Sequence, residues 1–425
     1  MLQTFRDAWK VPEIRKKLLF TLAMIVIFRL GSQIPVPYMK TKELIEFFRS
    51  QQGGLLQFLD IMAGGNLGQF TIFALSIYPY ITASIIIQLL TVAIPSLEAL
   101  SKEGEAGRKK ISKYTRYLAV VLAAIQATGS TFGFFKGFVA ASNMFENIVI
   151  ILSITAGTMF LVWLGELITE KGVGNGISLL IFAGIVARFP QDIYLSIRQA
   201  SAGMVSWVWV IIFFILFVLI VVFVVLFNEG ERRIHVQYAK RVVGRKMYGG
   251  QSTHIPIKVL MSGVMPIIFA QTVTSIPSML VMFNPNSRMA DFIVTWLTPR
   301  GGPGLIINSI VLLILIVFFA FFYTTIQFNP VEYSKQLQQN GGFIPGIRPG
   351  RPTSDYLAKT VNHLVLPGAL ALAILAIAPN FLSKAAGMSF NFGGTSIIIV
   401  VGVVLETSRQ LEQLLLMRHY KGFLK

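Results

Sequence analysis

The chain contains no cysteine in its 425 residues. Disulfides, thiolate nucleophiles and cysteine-ligated metals are therefore excluded, although this absence assigns no compartment. Histidine is almost as scarce: His235, His254, His363 and His419 are scattered, without metal-ligand spacing. No glycine is followed by lysine, so a Walker loop is missing. The GVGNG stretch at 172–176 has glycines at GxG spacing, but it joins two apolar runs where a dinucleotide loop needs a strand before it and a helix after it. Charged residues make up only 13% of the chain, and acidic ones are the rarer sign, with 19 Asp and Glu against 37 Lys and Arg. These absences leave neither nucleotide hydrolysis nor covalent chemistry for the chain to perform, so an enzyme is not expected.

Apolar residues are what the chain has in quantity. At 54% hydrophobic with a mean hydropathy of +0.68, it exceeds what a water-soluble domain of this length carries. Ten runs, near 18–34, 70–91, 115–135, 147–168, 177–190, 204–227, 259–283, 305–327, 359–380 and 394–415, read as membrane spans. In a bilayer, backbone groups must be satisfied within the segment, so each run is expected to be a helix. Leu18 to Leu30 continues to Gln33 with no small-residue cleavage site, so no signal peptide is expected. Lys and Arg concentrate on the side that carries both termini and the loops around 102–117, 229–258 and 335–359. By the positive-inside rule that side is cytoplasmic.

Ten runs divide into five and five, with a break near 189–203. An odd number per half would start the second half from the opposite face, which suits an inverted repeat with a substrate path between the halves. Ten runs without a repeat fit the same parity. The runs also lack the deep Asp, Glu, Lys or His that a proton- or ion-coupled transporter uses. Arg29, Glu166 and Arg188 fall toward run ends, and His363 stands alone near the start of its run. A small-solute secondary transporter, the alternative reading, is disfavoured on that ground.

Two runs carry mixed stripes. At 100° per residue, Ile77, Ile81, Ser84 and Gln88 fall within about 60° of one another in the second run, and Ile268, Gln271, Thr272 and Ser275 within about 100° in the seventh. Such a stripe fits a pore lining or ordinary hydrogen bonding between helices. Before the second run lies GGLLQFLDIMAGGNLG, residues 53–68, apolar, bracketed by glycines and too short to cross. It fits either a re-entrant stopper or a helix lying in the headgroups. Residues 229–258 carry seven cations against Glu229 and Glu231, and RIHVQYAKR alternates as a hairpin strand would.

Motifs along the whole chain resemble the SecY family, the channel-forming subunit of the bacterial protein translocase. They are YPYITASIIIQLL (78–90), KEGEAGRKKISKYTRY (102–117), GTMFLVWLGELITEKGVGNGIS (157–178), QSTHIPIKV (251–259), FNPVE (328–332), GFIPGIRPG (342–350) and FGGTS (392–396). The resemblance implies an all-α polytopic membrane protein of ten transmembrane helices, in two inverted five-helix halves around a central hourglass pore with a plug helix. Residues 1–200 would form the N-terminal half with a plug at 55–68. Residues 201–425 would form the C-terminal half with cytosolic loops 228–258 and 328–357.

By the same resemblance, the pore ring is Ile77, Ile81, Ile177, Ile181, Ile268 and Ile399, and the plug core is Leu55, Leu56, Phe58, Leu59, Ile61 and Met62. The lateral gate takes Thr82, Ser84, Gln88, Gln271, Thr272, Ser275 and Ile276. Docking of the motor and the ribosome falls to Arg232, Arg233, Lys240, Arg241, Arg245, Lys246, Arg348 and Arg351. An isoleucine ring can gate by dewetting and still let an extended polypeptide pass. The implied function is a channel that passes unfolded secretory polypeptides across the cytoplasmic membrane and releases helices sideways into lipid. The implied partners are the small membrane subunits SecE and SecG, the ATPase SecA, the ribosome, signal sequences, preproteins and membrane lipid, with no cofactor or metal.

Overall fold

The computed structural model describes residues 2–50, 60, 63–141, 143–203, 205–238, 241–243, 246–248, 252–281, 283–284, 287–298, 303–386 and 393–423. Fifteen helices among them are α1 Leu2–Lys10, α2 Pro12–Gly31, α3 Thr41–Ser50, α4 Tyr78–Ala93, α5 Pro95–Lys102, α6 Glu105–Gly129, α7 Met144–Lys171, α8 Gly176–Ser201, α9 Trp207–Glu229, α10 Met265–Val281, α11 Arg288–Trp296, α12 Pro303–Gln327, α13 Pro330–Gln339, α14 Arg351–Ala386 and α15 Gly394–Phe423. Each of the ten apolar runs coincides with one helix: α2, α4, α6 to α10, α12, α14 and α15. Among the described residues, seven helices are long and apolar enough to cross a membrane, and an eighth span results if α4 and α5, bent by 100°, are taken together. α10 is apolar but has only 17 residues.

Several boundaries differ from the sequence reading, and two of them have a clear local cause. The second run begins at residue 70, yet α4 starts only at Tyr78. The intervening backbone is stitched sideways, with Val36 N–H donating to the Phe70 carbonyl and Ile72 N–H to that of Ile34, both at 3.0 Å. Phe70 and Ser76 hold positive φ values of 45° and 51°, which helical residues cannot adopt. Pro79, without an N–H, then fits the first turn of α4. The fifth run was expected to break near 189. Instead α8 continues through Pro190 to Ser201, and the chain turns only at 202–203.

One large apolar cluster joins α4, α7, α8, α9, α10, α12, α14 and α15, with Ile85, Leu164, Leu180, Ile267, Ile316 and Ile398 among its buried members. By contrast, Ile211, Ile215, Val218, Val222 and Leu226 of α9 are exposed, the outward face that a helix against lipid tails needs. The GVGNG segment is a structural junction. Gly174 holds φ +88°, and Asn175 caps α8 by accepting from Ile177 N–H and Ser178 N–H. Val173 N–H donates to Thr21 Oγ1 of α2 (3.1 Å) and Gly174 N–H to Gln410 Oε1 of α15 (2.9 Å). This turn thus ties an early helix to the last one.

Beyond the helices, at the basic end, β1 Glu231–Tyr238 pairs antiparallel with β4 Ser252–Lys258 and with β5 Gly342–Phe343, in the order β4-β1-β5. A separate pair, β2 Arg241–Val243 and β3 Lys246–Tyr248, lies between β1 and β4 in the chain. The alternation seen in RIHVQY is that of a half-buried strand: Ile234 and Val236 are buried while His235 and Gln237 are exposed. Ile234 and Val236 pack with Ile257, Leu337, Ile344, Leu357 and Val361, so the two basic loops share one core. Arg409 of α15 pins the end of α9, donating to the Asn228 carbonyl (2.6 Å) and to Glu229 Oε1 (3.0 Å). Nearby, burial and then the Arg409 charge pull the Lys258 ammonium below the usual lysine range, with Glu229 and Glu231 opposing.

Candidate functional site: an isoleucine ring, a helix seam and a basic face

Six isoleucines from four stretches of chain converge on the central cluster. Ile77 precedes α4 and Ile81 lies within it; Ile177 and Ile181 belong to α8, Ile268 to α10 and Ile399 to α15. Ile77, Ile268 and Ile399 are buried, whereas Ile81, Ile177 and Ile181 are partly buried against the same cluster. Branched aliphatic side chains offer bulk without hydrogen-bonding groups. Side chains of this kind grip no polar chain strongly.

The seam between α4 and α10 is polar and mostly buried. Thr82 is buried and donates to its own helix at the Tyr78 carbonyl (3.1 Å). Thr272 donates to the Ile268 carbonyl (2.7 Å) and Ser275 to that of Gln271 (2.6 Å), and Gln271 is itself buried. Ser84 accepts from Gln88 Nε2 (3.1 Å). Ile276 is exposed and takes no part in this polar line.

Two tyrosines cross between helices here, and the sequence reading did not single them out. The Tyr78 hydroxyl of α4 donates to the Thr272 carbonyl of α10 (2.5 Å) and lies 2.9 Å from Ser275 Oγ. Tyr323 of α12 donates to Gln88 Oε1 of α4. A usable signal was present, because a tyrosine buried in an apolar run must find a partner for its hydroxyl. Its address was not, since the partners lie about two hundred residues away.

Ahead of α4, Asp60 is buried and accepts from Arg188 of α8 through Oδ2 (2.5 Å) and from Gly68 N–H through Oδ1 (2.7 Å). A cavity of about 570 Å³ opens beside this pair, lined by Arg29, Asp60, Gly65, Arg188 and Gln191 among others. Leu55, Leu56, Phe58, Leu59, Ile61 and Met62 lie outside the described residues.

The basic face rests on the three-stranded sheet. Arg232 and Arg233 are exposed on β1, with Arg233 paired to Glu231 at 2.7 Å. Arg241 sits on β2 and Lys246 on β3, while Lys240 and Arg245 lie outside the described residues. Arg348 and Arg351 are both exposed. The turn carrying Arg348 is held at its ends and free at its tip. Ile344 is buried in the shared core, and Gly346 and Gly350 take φ +82° and +99°, values that glycine adopts without steric cost. The Arg348 carbonyl accepts from Thr353 Oγ1 (2.8 Å) and the Gly350 carbonyl from Ser334 Oγ of α13 (2.6 Å). The Arg348 guanidinium makes no ion pair among the described residues, so a rigid backbone presents a free planar cation, the arrangement best suited to bidentate recognition of an anion.

Known proteins resemble the chain over most of its length. The family model described as SecY matches residues 71–408. The protein translocase subunit SecY of Streptomyces lividans is 46% identical over 443 residues, with 100% of both chains covered. A solved structure titled as that of a protein conducting channel superposes with a TM-score of 0.67 at 21% identity, covering 96% of each chain. Sec61 in a canine ribosome-channel complex from the endoplasmic reticulum superposes with a TM-score of 0.62 at 19% identity, again over 96% of each. The model match spans most of the chain and the close relative matches it end to end, so this chain belongs to the SecY family.

Proposed function

We propose that the chain is the channel-forming subunit of a protein translocase. It passes unfolded secretory polypeptides across the cytoplasmic membrane and releases membrane helices sideways into lipid, with both termini cytosolic. The observation that carries this reading is the convergence of Ile77, Ile81, Ile177, Ile181, Ile268 and Ile399 in one apolar cluster, drawn from both the 1–200 and 201–425 parts of the chain. Such a ring seals against ions when empty and lets an extended chain slip when open. It catalyses nothing, so the driving force comes from outside: SecA or a translating ribosome on the basic face, with SecE and SecG bracing the helices within the membrane. Cations exposed on a rigid sheet and turn favour both an acidic motor surface and RNA phosphates. The seam of α4 and α10 is the lateral gate through which a signal sequence leaves, and residues 55–68 are the plug.

The direct test is reconstitution. Vesicles holding the chain with its small subunits, given the translocation ATPase and ATP, should protect a signal-bearing precursor from added protease. A precursor that stays accessible although the ATPase is active on a reference channel would overturn the reading. The ring has its own test. Ile81→Gly with Ile268→Gly leaves a gap that water can wet, so resting ion conductance across a planar bilayer should rise at least about tenfold. Unchanged conductance would mean that the constriction lies elsewhere.

The tyrosine clasp has a smaller effect. Tyr78→Phe removes a buried hydroxyl that bridges α4 to α10, an interaction worth about 1–2 kcal/mol. Gate opening should become roughly tenfold easier, seen as better export of precursors with weakened signal sequences. If such precursors gain nothing, the Tyr78 contact does not hold the gate.

A further inference from the structure

The helix α8 presents Ile177, Ile181, Gly184 and Arg188 at successive spacings of four, three and four, which is one continuous face of a helix. The first two residues belong to the isoleucine ring. The third touches the chain ahead of α4: a methyl group added at Gly64 would lie only 3.0 Å from the Gly184 Cα, so the two backbones meet with no side chain between them. The fourth, Arg188, holds Asp60 at 2.5 Å, and both side chains are largely shielded from solvent, at 17% and 9% exposure. Gly65 packs beside the Arg188 stem. Two helical turns separate Ile181 from Arg188, about 10 Å along the axis. Asp60 and residues 63–68 are therefore fastened to the same helix face as the ring, about two turns further along.

The fastening is electrostatic as well as steric. Both oxygens of the Asp60 carboxylate are engaged, Oδ1 by Gly68 N–H and Oδ2 by the Arg188 guanidinium, and the Asp60 carbonyl accepts from Gly65 N–H (2.8 Å). One side chain thereby closes its own turn and anchors it to α8. We propose that Asp60 and Arg188 form a latch that positions Asp60 and residues 63–68 against α8 in the resting channel, so that parting this pair is a step in opening. The inference rests on the channel reading above and adds the pair that holds its closed state. A shielded ion pair is suited to such a latch. In the closed state neither charge can lose its partner without leaving the other uncompensated, whereas an opened, water-filled pathway hydrates both.

The test is resting ion conductance of the full translocase complex in planar bilayers for Asp60→Asn, Arg188→Gln, Arg188→Lys and, as a reference, Ile81→Gly. Asparagine keeps an oxygen for Gly68 N–H and removes only the charge. Asp60→Asn and Arg188→Gln should each raise resting conductance on the order of tenfold to a hundredfold, whereas Arg188→Lys, which keeps the charge, should stay near the parent level. A purely structural role for Arg188 would make lysine and glutamine equally harmful, and that result would overturn the latch. If both charge-removing variants stay tight while Ile81→Gly leaks, the latch is wrong and the channel reading stands. If Ile81→Gly is also tight, the assigned constriction fails and the latch with it.

Discussion

Replacing Arg348 by glutamate is expected to abolish export while leaving the helical bundle folded. The guanidinium is exposed and unpaired among the described residues, and the turn is held by backbone atoms instead, through the Arg348 and Gly350 carbonyls and the buried Ile344. Surface reversals of this kind usually alter stability by about 0.5 kcal/mol or less. The loss in function should be far larger, because a planar donor pair is exchanged for a carboxylate that repels the same anionic partner. ATP-driven protection of a precursor in vesicles should fall about a hundredfold or more, with the melting temperature of the complex unchanged. Arg348→Lys should fall between, since an ammonium supplies charge without the fork. Normal export by the glutamate variant would remove Arg348 from the docking surface, and a lowered melting temperature would show that its side chain supports the turn.

The second large effect is expected at the seam, and the absence of cysteine makes it simple to measure. Alternating spans make α4 and α10 antiparallel, so a step forward on one is a step back on the other. From the observed contact of Tyr78 with Ser275, one turn along α4 reaches Thr82 and one turn back along α10 reaches Gln271, both buried. Thr82→Cys combined with Gln271→Cys should therefore bring two thiols within bonding range in the resting channel, with Cα atoms roughly 4.4–6.8 Å apart. Oxidation should reduce export to background, and reduction should restore it. A bond that forms while secretion continues would mean that substrates pass without parting α4 from α10. If no bond forms, the two helices do not share this register at rest.

Much of this organisation was legible before any coordinates. The ten apolar runs each coincide with a helix because the bilayer leaves a buried backbone no other option. Ile234 and Val236 announced a half-buried strand by alternation alone. What stayed hidden was pairing over distance. Periodicity reports which face of an element is apolar, not what lies against it, so the meetings of Tyr78 with Thr272, Tyr323 with Gln88 and Asp60 with Arg188 had no local signature. The late start of α4 was hidden for a related reason: residues 70–77 are apolar enough for a span, but the Phe70 carbonyl and the Ile72 amide are taken by Val36 and Ile34, and Ala74 and Ser76 bond back in tight turns. The joining of β1 to β5 likewise depends on chain returning from a hundred residues away.

That joining gives the basic end a mechanical character. β5 leads into the Arg348 turn, β1 continues directly from α9, and β4 runs on toward α10. A pull on the turn is thus carried across strands by backbone hydrogen bonds loaded in parallel, which resist shear together instead of failing one at a time. A load placed on the Arg348 turn would therefore reach the ends of α9 and α10 through the paired strands.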